Sequence, residues 1–125
     1  DISKQAIASA MENIKESGLH KKIDLGVASI FDYNPPRVDK GIVITNPPYG
    51  ERLKKEQIEN FYKQLSDVFK NKYTGYDVWI ISSNQEALRS FGLRPSKKIN
   101  LLNGALECKY QRFSMYKGSL KSKQS

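Results

Sequence analysis

The segment from Gly41 to Thr45 constrains the fold more than any other part of the sequence, because it is continuously apolar and β-branched. A strand with one wet face alternates apolar and polar residues, whereas a parallel strand that is covered on both faces reads as an unbroken apolar run. Val78-Trp79-Ile80-Ile81 repeats this pattern further along the chain. A helical pattern separates the two runs, so the sequence predicts an α/β fold with a parallel sheet that is buried on both sides.

Residue spacing predicts three helices and one more strand in the first 95 residues. Apolar residues at helical spacing after Ser3, a candidate N-cap, predict a helix that stops at Gly18. A second amphipathic helix is predicted around residues 58–69, and Asn84 is a candidate cap of a short third helix. Residues 23–27 alternate apolar with polar or small side chains and are therefore predicted to form an edge strand.

The last part of the sequence has the pattern of an antiparallel hairpin. Asn103-Gly104 is a strong signal for the turn, and apolar side chains alternate on both sides of it. The phase of the alternation changes before Phe113, which predicts a bulge near Gln111 and Arg112. The predicted fold is thus α/β with a mixed sheet and a C-terminal antiparallel hairpin.

Composition excludes several classes of protein. The chain has 125 residues, of which 38% are hydrophobic, so it is one domain at most and is too apolar to be disordered. Its apolar runs are too short to span a bilayer, and we expect no signal peptide ahead of the first helix. One Cys and one His cannot form an internal disulfide or a His/Cys metal site. We therefore expect a cytoplasmic protein with no membrane partner and no metal.

The basic residues are unevenly distributed along the chain. The formal net charge is +8, and residues 95–125 hold seven Lys and Arg against one acidic residue. Lys97, Lys98 and Arg112, interleaved with aromatic residues, are predicted to contact nucleic acid. Residues 117–125 form a basic tail that we expect to be disordered, and for this tail a merely solvated segment is an equal alternative.

A motif whose residues are suited to a binding or catalytic site directly follows the first buried strand: Asn46-Pro47-Pro48-Tyr49-Gly50. Ligands of open α/β sheets bind at the carboxyl ends of the strands, so the position itself favours a binding site. A Pro-rich turn that only ends the strand is the alternative. The combination of a polar amide, two rigid prolines, an aromatic ring and a glycine favours a site instead, with Asn46, Pro47, Pro48 and Tyr49 as its catalytic residues.

These residue types suit the methylation of an exocyclic amino group on a nucleobase. The lone pair of such an amine is delocalised into the ring, so the nitrogen is a poor nucleophile. The side-chain oxygen of Asn46 and the carbonyl of Pro47 could accept its two hydrogens and direct the lone pair towards a methyl donor. Tyr49 could stack on the base, which is worth roughly 1–3 kcal/mol. Holding the amine and the donor in line can supply about 7–11 kcal/mol of the barrier.

The sequence resembles a bacterial family at three places. These are the opening Asp1-Ile2, the extended motif Asn46-Pro47-Pro48-Tyr49-Gly50-Glu51-Arg52-Leu53, and Asn103-Gly104-Ala105-Leu106-Glu107-Cys108. The family comprises ribosomal RNA guanine-N2 methyltransferases with a THUMP RNA-binding domain ahead of a Rossmann-like class I methyltransferase domain. The resemblance implies S-adenosyl-L-methionine as cofactor, a guanine of 23S ribosomal RNA as substrate and the strand order 3-2-1-4-5-7-6.

The resemblance also assigns residues to the cofactor. Asp1 matches the acidic residue that holds the ribose hydroxyls, and Ile2 lies against the adenine; an Asp that only begins the helix is the equal alternative for Asp1. Ser29 stands where the family has an acidic residue that contacts the adenine amine, and Ile30 follows it. Asn46 is expected to contact the cofactor as well as the substrate. Arg52 is interpreted as half of a local salt bridge with Glu51 or as an RNA phosphate contact.

The resemblance implies that residues 1–116 are the C-terminal portion of a methyltransferase domain. The Gly-rich first motif, the first strands and the THUMP domain belong before Asp1, so we expect the domain to be incomplete. The strand order then predicts a gap about 10 Å wide between residues 23–27 and 41–45. An adenine-N6 methyltransferase is an alternative that the core motif leaves open. For this chain by itself, a nucleic-acid-binding module without activity is a further alternative.

Overall fold

The structure is a computed structural model that describes residues 1–116, in two compact units that divide after Asn34. The predicted basic tail, residues 117–125, lies outside the described residues. In the first unit, helix α1 spans Lys4–Ser17. The Ser3 hydroxyl accepts a hydrogen bond from the Ala6 amide at 3.1 Å, and Gly18 ends the helix with φ of 75°. Both ends of this helix confirm the prediction from the sequence.

The strand predicted over residues 23–27 is wrong for the described residues, because no strand forms there. Two hydrogen bonds instead tie residues 26–28 to Asp1: the Ala28 amide donates to the Asp1 carbonyl at 2.9 Å, and the Asp1 nitrogen donates to the Gly26 carbonyl at 3.4 Å. Alternating side chains favour an extended backbone, but a strand also requires a ladder of hydrogen bonds to a neighbouring strand.

The second unit contains one four-stranded sheet. Its strands are β1 (Gly41–Thr45), β2 (Tyr76–Ser82), β3 (Lys97–Asn103) and β4 (Leu106–Ser114), in the order β1-β2-β4-β3. β1 and β2 pair in parallel, whereas β4 pairs antiparallel with both β2 and β3. This mixed sheet confirms the α/β fold and the C-terminal hairpin, and its order corresponds to the expected 4-5-7-6. Residues 23–27 are not part of the sheet, and the expected width of the gap stays a prediction.

Two helices cover one face of this sheet. Helix α2 (Lys55–Lys72) connects β1 to β2, and the short helix α3 (Gln85–Arg89) follows β2. The core between the helices and the sheet consists of fully buried side chains, among them Tyr62, Phe69, Val78, Ile80, Phe91 and Phe113. The rings of Phe91 and Phe113 lie 4.9 Å apart and join the end of the α3 segment to β4. None of the helices in residues 1–116 is long and apolar enough to cross a bilayer.

The opposite face of the sheet is open, which differs from the burial predicted for β1. Ile42 and Ile44 are 69% and 70% exposed. Trp79, predicted to be core, is half-buried; its ring stacks on Tyr110 at 4.8 Å, and the guanidinium of Arg112 lies 5.6 Å from its centre. An apolar run indicates that both faces of a strand can be buried. Which elements cover each face is decided by the tertiary structure.

The bulge predicted near Gln111 and Arg112 is also wrong. The pairing of β4 with β2 runs without interruption through Phe113, Arg112 and Gln111, and β3 pairs with Arg112 and Gln111 in regular register. Neighbouring residues of a strand point to opposite faces. Phe113 lies on the helix-covered face, whereas Tyr110 stacks on Trp79 on the other. The change of phase therefore reflects apolar side chains on both faces of one regular strand.

Candidate active site

The motif that follows β1 forms the wall of an open hollow. Residues 46–53 and Leu106, at the start of β4, enclose a volume of about 520 Å³. Asn46 is exposed, Pro47 is buried, and Tyr49 is half-buried. A volume of this size is within the range of small-molecule pockets, about 300–1,000 Å³. The motif therefore lies at an accessible site at the carboxyl end of a strand, and not inside the core.

A chain of hydrogen bonds holds the backbone of the motif at Pro48. The hydroxyl of the buried Tyr62, on α2, donates to the Pro48 carbonyl at 2.8 Å. Because that hydroxyl has a single hydrogen, Ser82 at the end of β2 donates to Tyr62, also at 2.8 Å. The backbone amide of Asn84 completes the chain by donating to the Ser82 hydroxyl at 3.1 Å. Burial raises the pKa of Tyr62, so this phenol stays protonated at neutral pH.

Asn84 holds the backbone of the motif at the next residue. Its side-chain nitrogen donates to the Tyr49 carbonyl at 2.8 Å, while its side-chain oxygen accepts from the Ala87 amide at 3.0 Å and caps α3. The cap was predicted from the sequence, but the bond to Tyr49 was not. The position of Asn84 in the sequence could have indicated this bond. Asn84 follows β2, the motif follows β1, and the two strands are parallel, so both residues lie at the same end of the sheet.

The Tyr49 hydroxyl is bound from the hairpin formed by β3 and β4. The side-chain nitrogen of Asn103 donates to it at 3.0 Å, and the thiol of the buried Cys108 lies at 3.8 Å. Burial raises the pKa of Tyr49, and the Asn103 hydrogen bond acts in the opposite direction by stabilising the phenolate. The motif and the late Asn-Gly-Ala-Leu-Glu-Cys segment, far apart in sequence, therefore meet at one hydroxyl group.

Two acceptors of the motif have no hydrogen-bond partner in the part of the chain that the structure describes. Within residues 1–116, no hydrogen bond engages the side chain of Asn46 or the carbonyl of Pro47, whereas the next two carbonyls are bound by Tyr62 and Asn84. Because Pro48 follows Pro47, the ψ of Pro47 is restricted, which limits the directions in which its carbonyl can point. Two oxygen acceptors therefore remain at the hollow, next to an aromatic ring.

Four of the residues that the resemblance assigns to the cofactor, Asp1, Ile2, Ser29 and Ile30, lie in the first unit, where their two segments meet. The hydrogen bond from the Ala28 amide to the Asp1 carbonyl places residues 28–30 beside Asp1 and Ile2. One carboxylate oxygen of Asp1 accepts at 2.8 Å from the amide of Ser3, the N-cap of α1, and both interpretations of Asp1 stay predictions. Asp1 and Ile2 are exposed, whereas Ser29 and Ile30 are half-buried.

The residues predicted to contact RNA do not form one cluster. Arg52 is exposed and lines the hollow. Lys97 and Lys98 begin β3, and because the strand rises about 3.3 Å per residue, they lie roughly 20 Å from its end at Asn103. The Lys97 and Lys98 side chains point to opposite faces of this edge strand. Arg112 lies over Trp79 and its Nε donates to the Ser96 hydroxyl at 2.9 Å.

Comparisons with known proteins agree on a methyltransferase relationship. The chain is 37% identical over 126 residues to the ribosomal RNA large subunit methyltransferase K/L of Marinomonas sp. (strain MWYL1). The aligned region covers 97% of this chain and 17% of that protein. The crystal structure of SMU.472 in complex with SAH has a TM-score of 0.83 and 25% identity, over 95% of this chain and 31% of the other.

A second solved structure and a family comparison complete these findings. A predicted N6-adenine-specific DNA methylase from Listeria monocytogenes str. 4b F2365 has a TM-score of 0.74 and 26% identity, over 92% of this chain and 29% of that one. The family described as "RMKL-like, methyltransferase domain" (UPF0020) matches residues 1–112. Since that match covers most of its length, the chain belongs to the RMKL-like methyltransferase domain family.

Proposed function

We propose that the protein containing this chain is an S-adenosylmethionine-dependent RNA methyltransferase that modifies the exocyclic amino group of a guanine in 23S ribosomal RNA. Several relatives that match nearly all of this chain are named as methyltransferases of large-subunit ribosomal RNA. The chain spans about 17% of their length, so the Gly-rich first motif of the cofactor site, a THUMP domain and the remaining strands would be supplied by the rest of the protein. Such an enzyme would act in the cytoplasm.

The observation that carries this proposal is the pair of unoccupied acceptors beside the Tyr49 ring. The Asn46 side-chain oxygen and the Pro47 carbonyl would each accept one hydrogen of the amino group, which draws the nitrogen towards a tetrahedral shape with its lone pair exposed. Tyr49 would stack on the guanine after the base leaves its helix. Pro48 contributes through its carbonyl, because the Tyr62 bond to that atom keeps the loop rigid.

The residues of the first unit fit a bound S-adenosylmethionine. Asp1 retains acceptor capacity for ribose hydroxyls, because the Ser3 amide uses only part of the capacity of its carboxylate. Ile2 supplies an exposed apolar side chain suited to an adenine face, and Ser29 and Ile30 lie in the adjoining segment. When bound, the cofactor supplies an electrophilic methyl group on its sulfonium.

The RNA would be held largely by charge. Arg52 lies at the hollow and is the candidate for a phosphate next to the target base, whereas Lys97, Lys98 and Arg112 would contact the backbone further away. Arg112 is already bound to Ser96 and stacked over Trp79, which makes it the weakest member of this set.

A second candidate is methylation of an adenine N6 amine. The similarity to a predicted N6-adenine-specific DNA methylase favours it, and the two acceptors suit any aryl amine. Enzymatic digestion of the product RNA and mass spectrometry of the nucleosides distinguish N2-methylguanosine from N6-methyladenosine.

The central experiment tests Asn46→Ala and Tyr49→Ala in the intact protein. We expect each variant to lose more than about 100-fold in methyl transfer from labelled S-adenosylmethionine to 23S RNA, because positioning of the amine is lost. Asn60→Ala removes an exposed amide on α2 and serves as the matched control, with activity unchanged. Wild-type rates in either motif variant contradict the assignment of these residues. An intact wild-type protein that methylates no RNA contradicts the proposed function.

A further inference from the structure

The turn of the hairpin leaves the side chain of Asn103 available for another role. In the register of the hairpin Asn103 pairs with Leu106, so the two turn residues are Gly104 and Ala105. Gly104 has φ of 62°, and no residue other than glycine has a positive φ in the described chain. A positive φ at the first turn residue is the pattern of a type II′ hairpin. Asn103 is therefore the last residue of β3, and its amide is not used in shaping the turn.

This amide reaches the aromatic residue of the motif. The Nδ2 of Asn103 lies 3.0 Å from the Tyr49 hydroxyl, across 54 positions of sequence. Tyr49 is also held at its carbonyl by the Asn84 side chain, at 2.8 Å. The ring is thus bound at its backbone and at its far end. Without the second contact, a half-buried tyrosine beside an open hollow of about 520 Å³ has room to change rotamer.

We propose that Asn103 is a positioning residue of the methyl-transfer site: it fixes the Tyr49 ring, through the phenolic hydroxyl, in the orientation that stacks on the target base. The inference rests on the proposed function, because the ring orientation matters only if Tyr49 contacts a base. Asn103 itself touches no reacting atom. Its effect reaches the reaction through Tyr49 alone. A base stacked on the Tyr49 ring is aligned with the Asn46 and Pro47 oxygens only when that ring has one orientation.

The test is a double-mutant cycle in the intact protein with Tyr49→Phe, Asn103→Leu and the double variant. Asn103→Leu keeps the size of the side chain and removes its donor. We expect each single variant to lower kcat by roughly tenfold, with little change in the KM for S-adenosylmethionine. The double variant is expected to be no slower than Tyr49→Phe, because both changes remove the same bond. Asn100→Leu removes an amide of the same strand that bonds Lys109, and is the matched control.

A second measurement does not depend on activity. In the intact protein with ¹³C-labelled tyrosine, the Tyr49 resonance is identified by its absence from Tyr49→Phe and titrated against pH. Asn103→Leu is expected to raise the pKa of Tyr49 above its wild-type value, because the phenolate loses a hydrogen-bond donor. Asn100→Leu is expected to leave it unchanged. If the wild-type protein methylates no RNA, the proposed function fails, whereas this titration still tests the contact.

Three results overturn the inference. The first is a kcat of Asn103→Leu equal to the wild type, and the second is a double variant whose loss equals the product of the two single losses. The third is an unchanged pKa of Tyr49 in Asn103→Leu. Asn103→Ala, which removes the same donor without a branched apolar group, replaces Asn103→Leu if thermal unfolding shows that the leucine variant is not folded.

Discussion

Tyr62 is the single residue that most directly links the core to the motif. Its ring is fully buried against the sheet, and its hydroxyl both donates to Pro48 and accepts from Ser82. Tyr62→Phe would leave the part-buried Pro48 carbonyl without its donor and the buried Ser82 hydroxyl without its acceptor. We expect a loss of about 1–3 kcal/mol in the free energy of unfolding, measured by urea denaturation of the intact protein.

Tyr110→Phe is the matched control for this change. Its ring stacks on Trp79 on the open face, and that stacking survives the loss of a hydroxyl. We expect the control to stay within about 0.5 kcal/mol of the wild type. Equal losses in the two variants would contradict the importance of the hydrogen-bond chain at Pro48.

At the scale of elements, the packing of the motif loop on α2 depends on Gly50. This glycine has φ of 87°, and a Cβ at this position would lie 2.7 Å from Cγ1 of Ile58. Gly50→Ala therefore combines backbone strain with a clash against a buried helix residue. We expect a loss of stability larger than that of Gly104→Ala, with methyl transfer reduced because the loop that carries Tyr49 is displaced.

Gly104→Ala is the informative comparison. It also has a positive φ, but an added Cβ meets nothing within 4 Å, so only the conformational penalty of about 1–2 kcal/mol applies. Gly26→Ala has neither a positive φ nor a neighbour and is expected to be neutral. Thermal unfolding of the three variants should rank them in this order, and an equal loss for Gly50 and Gly104 would exclude the clash with Ile58.

At the scale of the whole molecule, the basic residues at the start of β3 predict how RNA binding depends on salt. Among the described residues β3 is an edge strand, so both Lys97 and Lys98 can reach a phosphate there, although they point to opposite faces. Replacing both with Gln is expected to weaken RNA binding by the intact protein. The slope of log K against log salt should become shallower by roughly 1–2.

Lys63→Gln with Lys70→Gln removes the same charge from the exposed side of α2 and is the control. An equal change in slope for both pairs would mean that the effect is one of net charge only. In that case Lys97 and Lys98 protect the sheet edge from pairing with other chains, which is a common role of lysine at such positions.

Local pattern alone determined most elements of this protein. Helical spacing predicted α1, α2 and the short α3, with a cap at each end of α1 and one at the start of α3, and the apolar runs predicted β1 and β2. These signals depend on neighbours within a few residues. The motif after β1 was found in the same way. Its residue types indicated two acceptors and an aromatic ring, and the structure places them at an open hollow.

Tertiary structure decided what no local pattern contains. Residues 23–27 have the alternating pattern of a strand but form no ladder of hydrogen bonds with a neighbouring strand. The apolar side chains of Ile42 and Ile44 lie on an open face of the sheet. Asn103 reaches Tyr49 because β4 lies between β2 and β3, which brings the hairpin to the end of the sheet where the motif follows β1. Contacts of this kind join residues more than 50 positions apart, so they depend on strand order and not on the residues beside them.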